Sequence, residues 1–260
     1  MFYNPKATNV LLKDYKKAFQ PSVFLKQYYE AFSPSDISLY LKQKLLCFHD
    51  SFLTVPNGLK VLDYGAGPSI ASAISAATKA SDIVLAEYAE ENIEFLDQWL
   101  NCEPNAFDWS PYFTYVVQEL EGGGEEQVKE RETKVRKLIK GLVHCDIRKD
   151  PPIQQGYDTQ YDVVMCSLVL EGASSTQEEY CSNVARLVQL VKPGGSIFYY
   201  GVENKIGYYT IGDRSFPNIH ITDELALKAF RDAGVDDASL KECPVGDCNV
   251  KFIFIGGKRS

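Results

Sequence analysis

The residues best suited to chemistry are gathered in Asp63-Tyr-Gly-Ala-Gly-Pro-Ser, which sits between an apolar run and a small-residue stretch, Ile70-Ala-Ser-Ala-Ile-Ser-Ala-Ala. Glycines at such a turn let a ligand approach the backbone beside the free N–H groups of a helix start. The same G-x-G also serves as a plain strand-to-helix turn, so the motif is weak alone. Glu87 follows Gly65 by 22 residues. An acid about 20 residues beyond a glycine turn is placed to accept both cis hydroxyls of a ribose. Ile70 stands where a pyrophosphate binder has its third glycine, and no Lys or Arg occurs from 61 to 78. The spacing therefore favours a nucleoside ligand without phosphate over NAD. Asp146, after Val143-His-Cys, is either an acceptor for an adenine amino proton or a solvated acid at a strand end.

Other reactive residue types carry less. The cysteines fall at 47, 102, 145, 166, 181, 243 and 248, an odd count without tight pairing. That pattern predicts reduced thiols and a cytoplasmic protein. Cys243 and Cys248 are spaced C-x4-C with no second pair, so no metal is expected. His49, His144 and His220 read as structural, and no Ser-His-Asp or Cys-His pairing is legible.

Composition narrows the classes. The chain has 260 residues, with 27 basic against 35 acidic side chains and a net charge of −8. Hydrophobic residues make up 45% and charged residues 24%, which is globular usage and excludes disorder over most of the chain. Net acidity argues against a nucleic-acid module. The longest nearly apolar run, Val163 to Leu170, is far short of the roughly 20 residues a bilayer requires. Met1-Phe-Tyr-Asn-Pro-Lys has no apolar run of signal-peptide length.

The elements that must position these residues alternate. Lys60–Tyr64, Ser81–Tyr88, Leu142–Ile147, Tyr161–Leu170, Ser196–Val202 and Val250–Ile255 read as strands. Their near-continuous β-branched and aromatic runs fit a sheet covered by helices on both faces. Helical periodicity occupies 36–53, 90–101, 177–191 and 223–233. Pro193-Gly-Gly reads as a turn before the fifth strand. Repeated β-α order predicts a mostly parallel sheet with right-handed crossovers. Residues 104–141 interrupt it. Ser110 before Pro111 suits a helix N-cap, although the following run is equally rich in strand formers. The stretch 125–140 reads as a solvated helix held by Glu125–Lys129 and Glu130–Lys134 pairs. The chain is expected to be one domain: a helical lid over 1–55, rich in Tyr15, Phe19, Phe24, Tyr28, Tyr29 and Phe32, and a Rossmann-like core over 56–260.

Taken together, Asp63-x-Gly-x-Gly, the later acid, Cys145-Asp-Ile and Lys192-Pro-Gly-Gly resemble the class I S-adenosylmethionine (SAM) methyltransferases, an α/β fold with a seven-stranded mostly parallel sheet and a reversed final strand. Roughly residues 15 to 235 resemble a narrower group, the nicotinamide, phenylethanolamine and indolethylamine (thioether) N-methyltransferases. The segments that carry this are Phe19-Gln-Pro-Ser-Val-Phe-Leu-Lys-Gln-Tyr-Tyr, Glu103-Pro-Asn-Ala-Phe-Asp-Trp-Ser-Pro, Ser167-Leu-Val-Leu-Glu and Tyr208-Tyr-Thr-Ile-Gly-Asp. The resemblance implies that Tyr15 and Tyr29 hold the methionine end of the cofactor and that Gly65, Ala66 and Gly67 form its glycine loop. It implies Glu87 for the ribose, Asn92 for the adenosine part, Asp146 and Ile147 for adenine, and Ser167 beside the cofactor. Phe24, Tyr28, Leu168, Tyr209 and Asn218 would line the acceptor pocket. Phe24 and Ala71 stand where the nicotinamide enzyme has tyrosines, and Asn218 where it has a serine. Glu171 and Glu203 would orient or deprotonate the amine, and the short tail after Cys243 would leave the far pocket wall open or differently built.

The implied activity is methyl transfer from SAM to a nitrogen of a small amine or heteroaromatic molecule, by a protein that is monomeric, cytoplasmic and independent of nucleic acid, membrane or metal. A thioether acceptor is a chemical variant. A SAM-binding sensor without turnover and a nucleotide-dependent oxidoreductase are the competing readings.

Overall fold

The computed structural model describes residues 7–244 and 249–260. Cys248 and the segment Met1–Lys6 lie outside the described residues.

Valine, isoleucine and leucine alternate along the central strands, and the alternation sorts them onto two faces. Val61 joins Leu41, Leu45 and Phe48 in one apolar cluster, whereas its neighbour Leu62 joins Tyr180, Val184 and Leu187 in another. Period-2 side-chain alternation in a sheet covered on both sides requires this. The strands are β2 (Leu59–Tyr64), β3 (Ala80–Glu87), β4 (Ile139–His144), β5 (Tyr161–Ser167), β6 (Val191–Asn204), β9 (Ser239–Cys243) and β10 (Val250–Lys258). They form one seven-stranded sheet in the order β4-β3-β2-β5-β6-β10-β9. Neighbours from β4 through β6 pair in parallel, and β10 runs antiparallel to both β6 and β9. Helices α3 (Leu39–Leu53), α4 (Ala71–Ala76), α5 (Glu90–Leu100), α6 (Ser110–Thr114) and α7 (Glu125–Leu138) contribute to the first cluster; α8 (Gln177–Gln189) and α9 (Asp223–Asp232) contribute to the second.

The N-terminal segment is only partly helical. β1 (Thr8–Asn9) precedes α1 (Tyr15–Ala18) and α2 (Pro21–Tyr29), and it pairs with a hairpin of β7 (Tyr208–Ile211) and β8 (Arg214–Pro217) to give a small sheet ordered β1-β8-β7. This second sheet and strand β9 are absent from the sequence reading, because their strands are short, polar or two residues long.

Several local expectations shift. The third strand ends at His144, so Asp146 and Ile147 lie on the loop beyond it. Pro193-Gly-Gly sits inside β6 as a bulge: Tyr161 pairs with Val191 but Val163 pairs with Ser196. The 110–120 run is helical, α6 followed by a π-helical segment Tyr115–Leu120, because helix buries Tyr112, Phe113, Val116 and Val117 together. Ser110 is its first residue rather than its cap, and the Asp108 carboxylate accepts from the Ser110 N–H at 2.9 Å. Arg131 forms a two-pronged ion pair with Glu121 and Arg136 pairs with Glu132, in place of the two expected glutamate–lysine pairs. Arginine's planar fork explains the preference for the bidentate partner.

Candidate active site

A cavity of about 440 Å³ opens where β2, β3 and β5 end, between the sheet and the N-terminal segment. Open α/β sheets bind ligands at this edge, beyond the carboxyl ends of their strands. Its floor is the turn after β2. Gly65 and Gly67 have φ of +74° and +62°, a region that L side chains rarely adopt. A Cβ on Gly65 would also lie 2.3 Å from Val169 Cγ2, so the turn tolerates no side chain there.

Glu87, the last residue of β3, is buried, and its carboxylate faces the glycine turn. Oε2 accepts from the Gly67 N–H at 2.9 Å, and Oε1 accepts from the Ala89 N–H and from Asn92 Nδ2, each at 2.9 Å. Burial pushes its pKa up, and those donors oppose the shift. Asn92 lies behind Glu87 and does not line the cavity, so it positions the carboxylate instead of touching a ligand.

Asp146 and Ile147 line the cavity on the loop after β4. Burial raises the Asp146 pKa, but the Arg148 guanidinium, at 2.8 and 3.1 Å, outweighs burial and holds it below the usual carboxylate range. Arg148 and Lys16 lie over the Tyr88 ring, at 5.0 and 4.4 Å from its centroid.

The cover of the cavity is aromatic. Tyr15, Phe24, Tyr28, Tyr29 and Tyr209 all line it, with ring centroids of Phe24 to Tyr28 and Tyr29 at 5.2 and 5.6 Å. The Tyr28 hydroxyl donates to the Thr210 carbonyl at 2.7 Å, which ties α2 to β7. Burial pushes the Tyr28 hydroxyl up to about 12, so it remains a neutral donor. Leu168 follows β5 with φ of +58°, a conformation that costs a non-glycine residue on the order of 1–3 kcal/mol and concentrates at functional sites. Three buried lining atoms, Ser38 Oγ, Ser167 Oγ and Asn218 Oδ1, have no hydrogen-bond partner among the described residues. Unsatisfied polar atoms on a cavity wall mark places a ligand can satisfy.

The structure does not bring Glu171 or Glu203 to the cavity wall. Glu171 is fully buried beneath it, where Oε1 accepts from the Tyr199 hydroxyl at 2.6 Å and the Val202 N–H at 2.7 Å. Glu203 turns the other way, to Lys251 at 3.0 Å and His220 at 3.4 Å. Two buried charged residues to which the sequence assigns no role, Lys44 and Asp63, also line the cavity. Asp63 was visible as the first residue of the glycine motif. Lys44 is one turn from Leu41 and Phe48 on the buried face of α3, the only signal available for it.

The fold, with a cavity at the carboxyl edge of its sheet, is that of class I SAM-dependent methyltransferases. The chain belongs to the NNMT/PNMT/TEMT family, which it matches over residues 7–252. It is 35% identical to human nicotinamide N-methyltransferase over 67% of this chain and 65% of that protein, just under two thirds of its length. It is 32% identical to mouse indolethylamine N-methyltransferase over 91% of this chain and 86% of that protein. It is 26% identical to phenylethanolamine N-methyltransferase of Macaca mulatta over 76% of this chain and 70% of that protein. Among solved structures, magnesium protoporphyrin IX methyltransferase from Synechocystis PCC 6803 with bound S-adenosylhomocysteine (SAH) superposes with a TM-score of 0.60 at 17% identity, covering 96% of this chain and 98% of that one. The N-methyltransferase NodS from Bradyrhizobium japonicum WM9 with SAH gives 0.53 at 10% identity, covering 95% and 96%. These last two likenesses concern the fold.

Proposed function

We propose that the protein transfers a methyl group from SAM to a nitrogen of a small amine or heteroaromatic acceptor and releases SAH. The observation that carries this reading is Glu87 held at 2.9 Å from the Gly67 N–H in a cavity covered by aromatic rings, in a chain of this family. The residues fit the cofactor: a carboxylate with two acceptor oxygens for the ribose, a glycine turn open to close approach, and the unsatisfied Ser167 hydroxyl beside it. SAM supplies a methyl group on a cationic sulfonium, an electrophile that needs no further activation.

The chain's own residues then position and shield. Glu87 takes the ribose hydroxyls, Gly65 to Gly67 accommodate the nucleoside against the backbone, and Asp146 and Ile147 bracket the base. Tyr15 and Tyr29 close over the methionine end. Phe24, Tyr28, Leu168 and Tyr209 form the acceptor walls, whose ring faces favour a sulfonium and a cationic product. Asn218 Oδ1 offers the acceptor a hydrogen-bond acceptor for an N–H group. Holding donor and acceptor in line supplies about 7–11 kcal/mol through proximity alone. Glu171 and Glu203, set away from the wall, support the pocket in this reading, which favours acceptor nitrogens carrying a free lone pair at neutral pH, such as a pyridine nitrogen.

The protein acts on a small molecule as a cytoplasmic monomer. The cavity supports a small-molecule acceptor and the net charge of −8 argues against a nucleic-acid partner, and no helix among the described residues is long and apolar enough to cross a membrane. The test is SAH release from SAM with a panel of nicotinamide, tryptamine, phenylethanolamine, an alkylamine and dimethyl sulfide. Acceptor-dependent release is the expected result. Absence of SAM and SAH binding by calorimetry overturns the proposal.

A further inference from the structure

The cavity holds a charge that methyl transfer does not require. Lys44 lies in the middle of α3, on the face that also buries Leu41, Leu45 and Phe48, and is only 3% exposed. It nevertheless lines the cavity. Its Nζ donates to the Tyr29 hydroxyl at 3.1 Å and stands 5.4 Å from that ring's centroid. An ammonium carries three donors, and Tyr29 takes one of them. No carboxylate lies within 4.0 Å of this ammonium among the described residues. Asp63, 2% exposed on the same lining, is pushed up to about 7 by burial, with Lys44 as the opposing cation and Glu87 adding to the rise. A buried ammonium with spare donors, out of contact with any anion and open to a ligand cavity, is a site for an anion.

We propose that Lys44 is an anion-binding residue of this cavity and takes a carboxylate of a bound small molecule. Two molecules can bring one: the cofactor, through its methionine end, or the acceptor, through an acid group. The cofactor source rests on the methyltransferase reading; the acceptor source does not. Tyr29 orients the ammonium, and Asp63 balances its charge in the empty cavity and faces a cationic group of the ligand in the filled one.

The test compares wild-type protein with Lys44→Met and Lys44→Arg, each first shown to unfold cooperatively by thermal melting. Calorimetry measures SAH against 5′-methylthioadenosine, which has the same nucleoside and no amino-acid end. If the cofactor is the source, Lys44→Met weakens SAH by about tenfold or more, leaves 5′-methylthioadenosine unchanged, and Lys44→Arg recovers part of the loss. A second arm measures nicotinate against nicotinamide on the SAH-loaded protein. If the acceptor is the source, wild type prefers nicotinate and Lys44→Met abolishes that preference. Loss of a carboxylate-dependent affinity in either arm supports the proposal. Equal losses for SAH and 5′-methylthioadenosine with no change in the second arm, or no change in either arm, overturn it. Wild-type protein that binds neither nucleoside counts against the methyltransferase reading, and the nicotinate arm, run without nucleoside, still decides on Lys44.

Discussion

Glu87 and Gly67 are joined by a hydrogen bond of 2.9 Å from the Gly67 N–H to Oε2, which clips the end of β3 to the turn after β2. With Oε1 held by Ala89 and Asn92, the carboxylate is fixed before any ligand arrives. Pre-organisation of this kind saves the cost of ordering the side chain on binding. Glu87→Gln keeps the shape and one acceptor but loses the charge, and is expected to weaken SAH roughly 10- to 100-fold, as loss of charged hydrogen bonds does. Calorimetric titration with SAH measures it; an unchanged dissociation constant would remove Glu87 from the site.

Asn92 reaches the ligand only through Glu87. Asn92→Ala should therefore cost SAH affinity less than Glu87→Gln does. In the double variant, the two losses should fall short of their sum, as they do for residues sharing one network. Full additivity in a double-mutant cycle would mean that Asn92 contacts the ligand itself.

The turn after β2 has no room. Gly65→Ala places a methyl group 2.3 Å from Val169 Cγ2 and holds it at a φ of +74°. The expected outcome is a lower melting temperature together with lost SAH binding. Adding Val169→Ala relieves the clash but leaves the backbone strained, so melting temperature recovers in part.

Asp63 makes stability depend on pH. Its folded value is about 7 against 3.8 in an ordinary aspartate, chiefly through burial. A raised value favours the folded state below the ordinary value and loses that advantage as pH rises toward 7. Glu87 and Glu171 are shifted in the same direction by burial. The ligand-free protein should melt at progressively lower temperature from pH 5 to pH 8, and Asp63→Asn should flatten that slope. Thermal melts across the range, without ligand, provide the check; a slope unaffected by Asp63→Asn would show that other groups set it.

Glu171 separates support from chemistry. It anchors the Tyr199 hydroxyl and the Val202 N–H, so Glu171→Ala leaves two buried donors unsatisfied, at about 1–3 kcal/mol each. The melting temperature should fall sharply. Glu171→Gln keeps an acceptor for both donors, and its kcat on a pyridine acceptor should stay within a few-fold of wild type. A large kcat loss in Glu171→Gln at unchanged melting temperature would return the residue to a direct catalytic role.

The central sheet and the glycine turn were legible because their signals are local: period-2 apolar runs, a small-residue helix, an acid 22 residues on from Gly65. Val250–Ile255 was legible as a strand from its apolar run, but its reversed direction in β10 only through the family resemblance. Lys44 was not: its spacing from Leu41 and Phe48 puts it on the apolar stripe of the helix, but spacing does not show that the stripe borders a cavity there. Glu171 was misplaced for a related reason: the chain shows that an acid follows β5, but not that Tyr199 and Val202 of β6 draw it under the wall. The β1–β8 pairing of the small sheet joins residues some 200 positions apart, and no local pattern encodes such a pairing.

That small sheet borders the cavity, since its strand β7 carries Tyr209. β1 is held to β8 by two residues, through the Thr8 N–H to the Asp213 carbonyl at 2.7 Å and the Val10 N–H to the Ser215 carbonyl at 2.8 Å. The central strands are covered on both faces, whereas Thr8 and Asn9 are both exposed, so the β1 amides are expected to exchange with solvent ahead of those of the central strands. The segment that carries Tyr15 and Phe24 over the cavity is therefore pinned at both ends, by the β1–β8 pairing and by the bonds of Gln27 and Tyr28 to the Thr210 carbonyl, so both anchors of the aromatic roof lie on one small sheet.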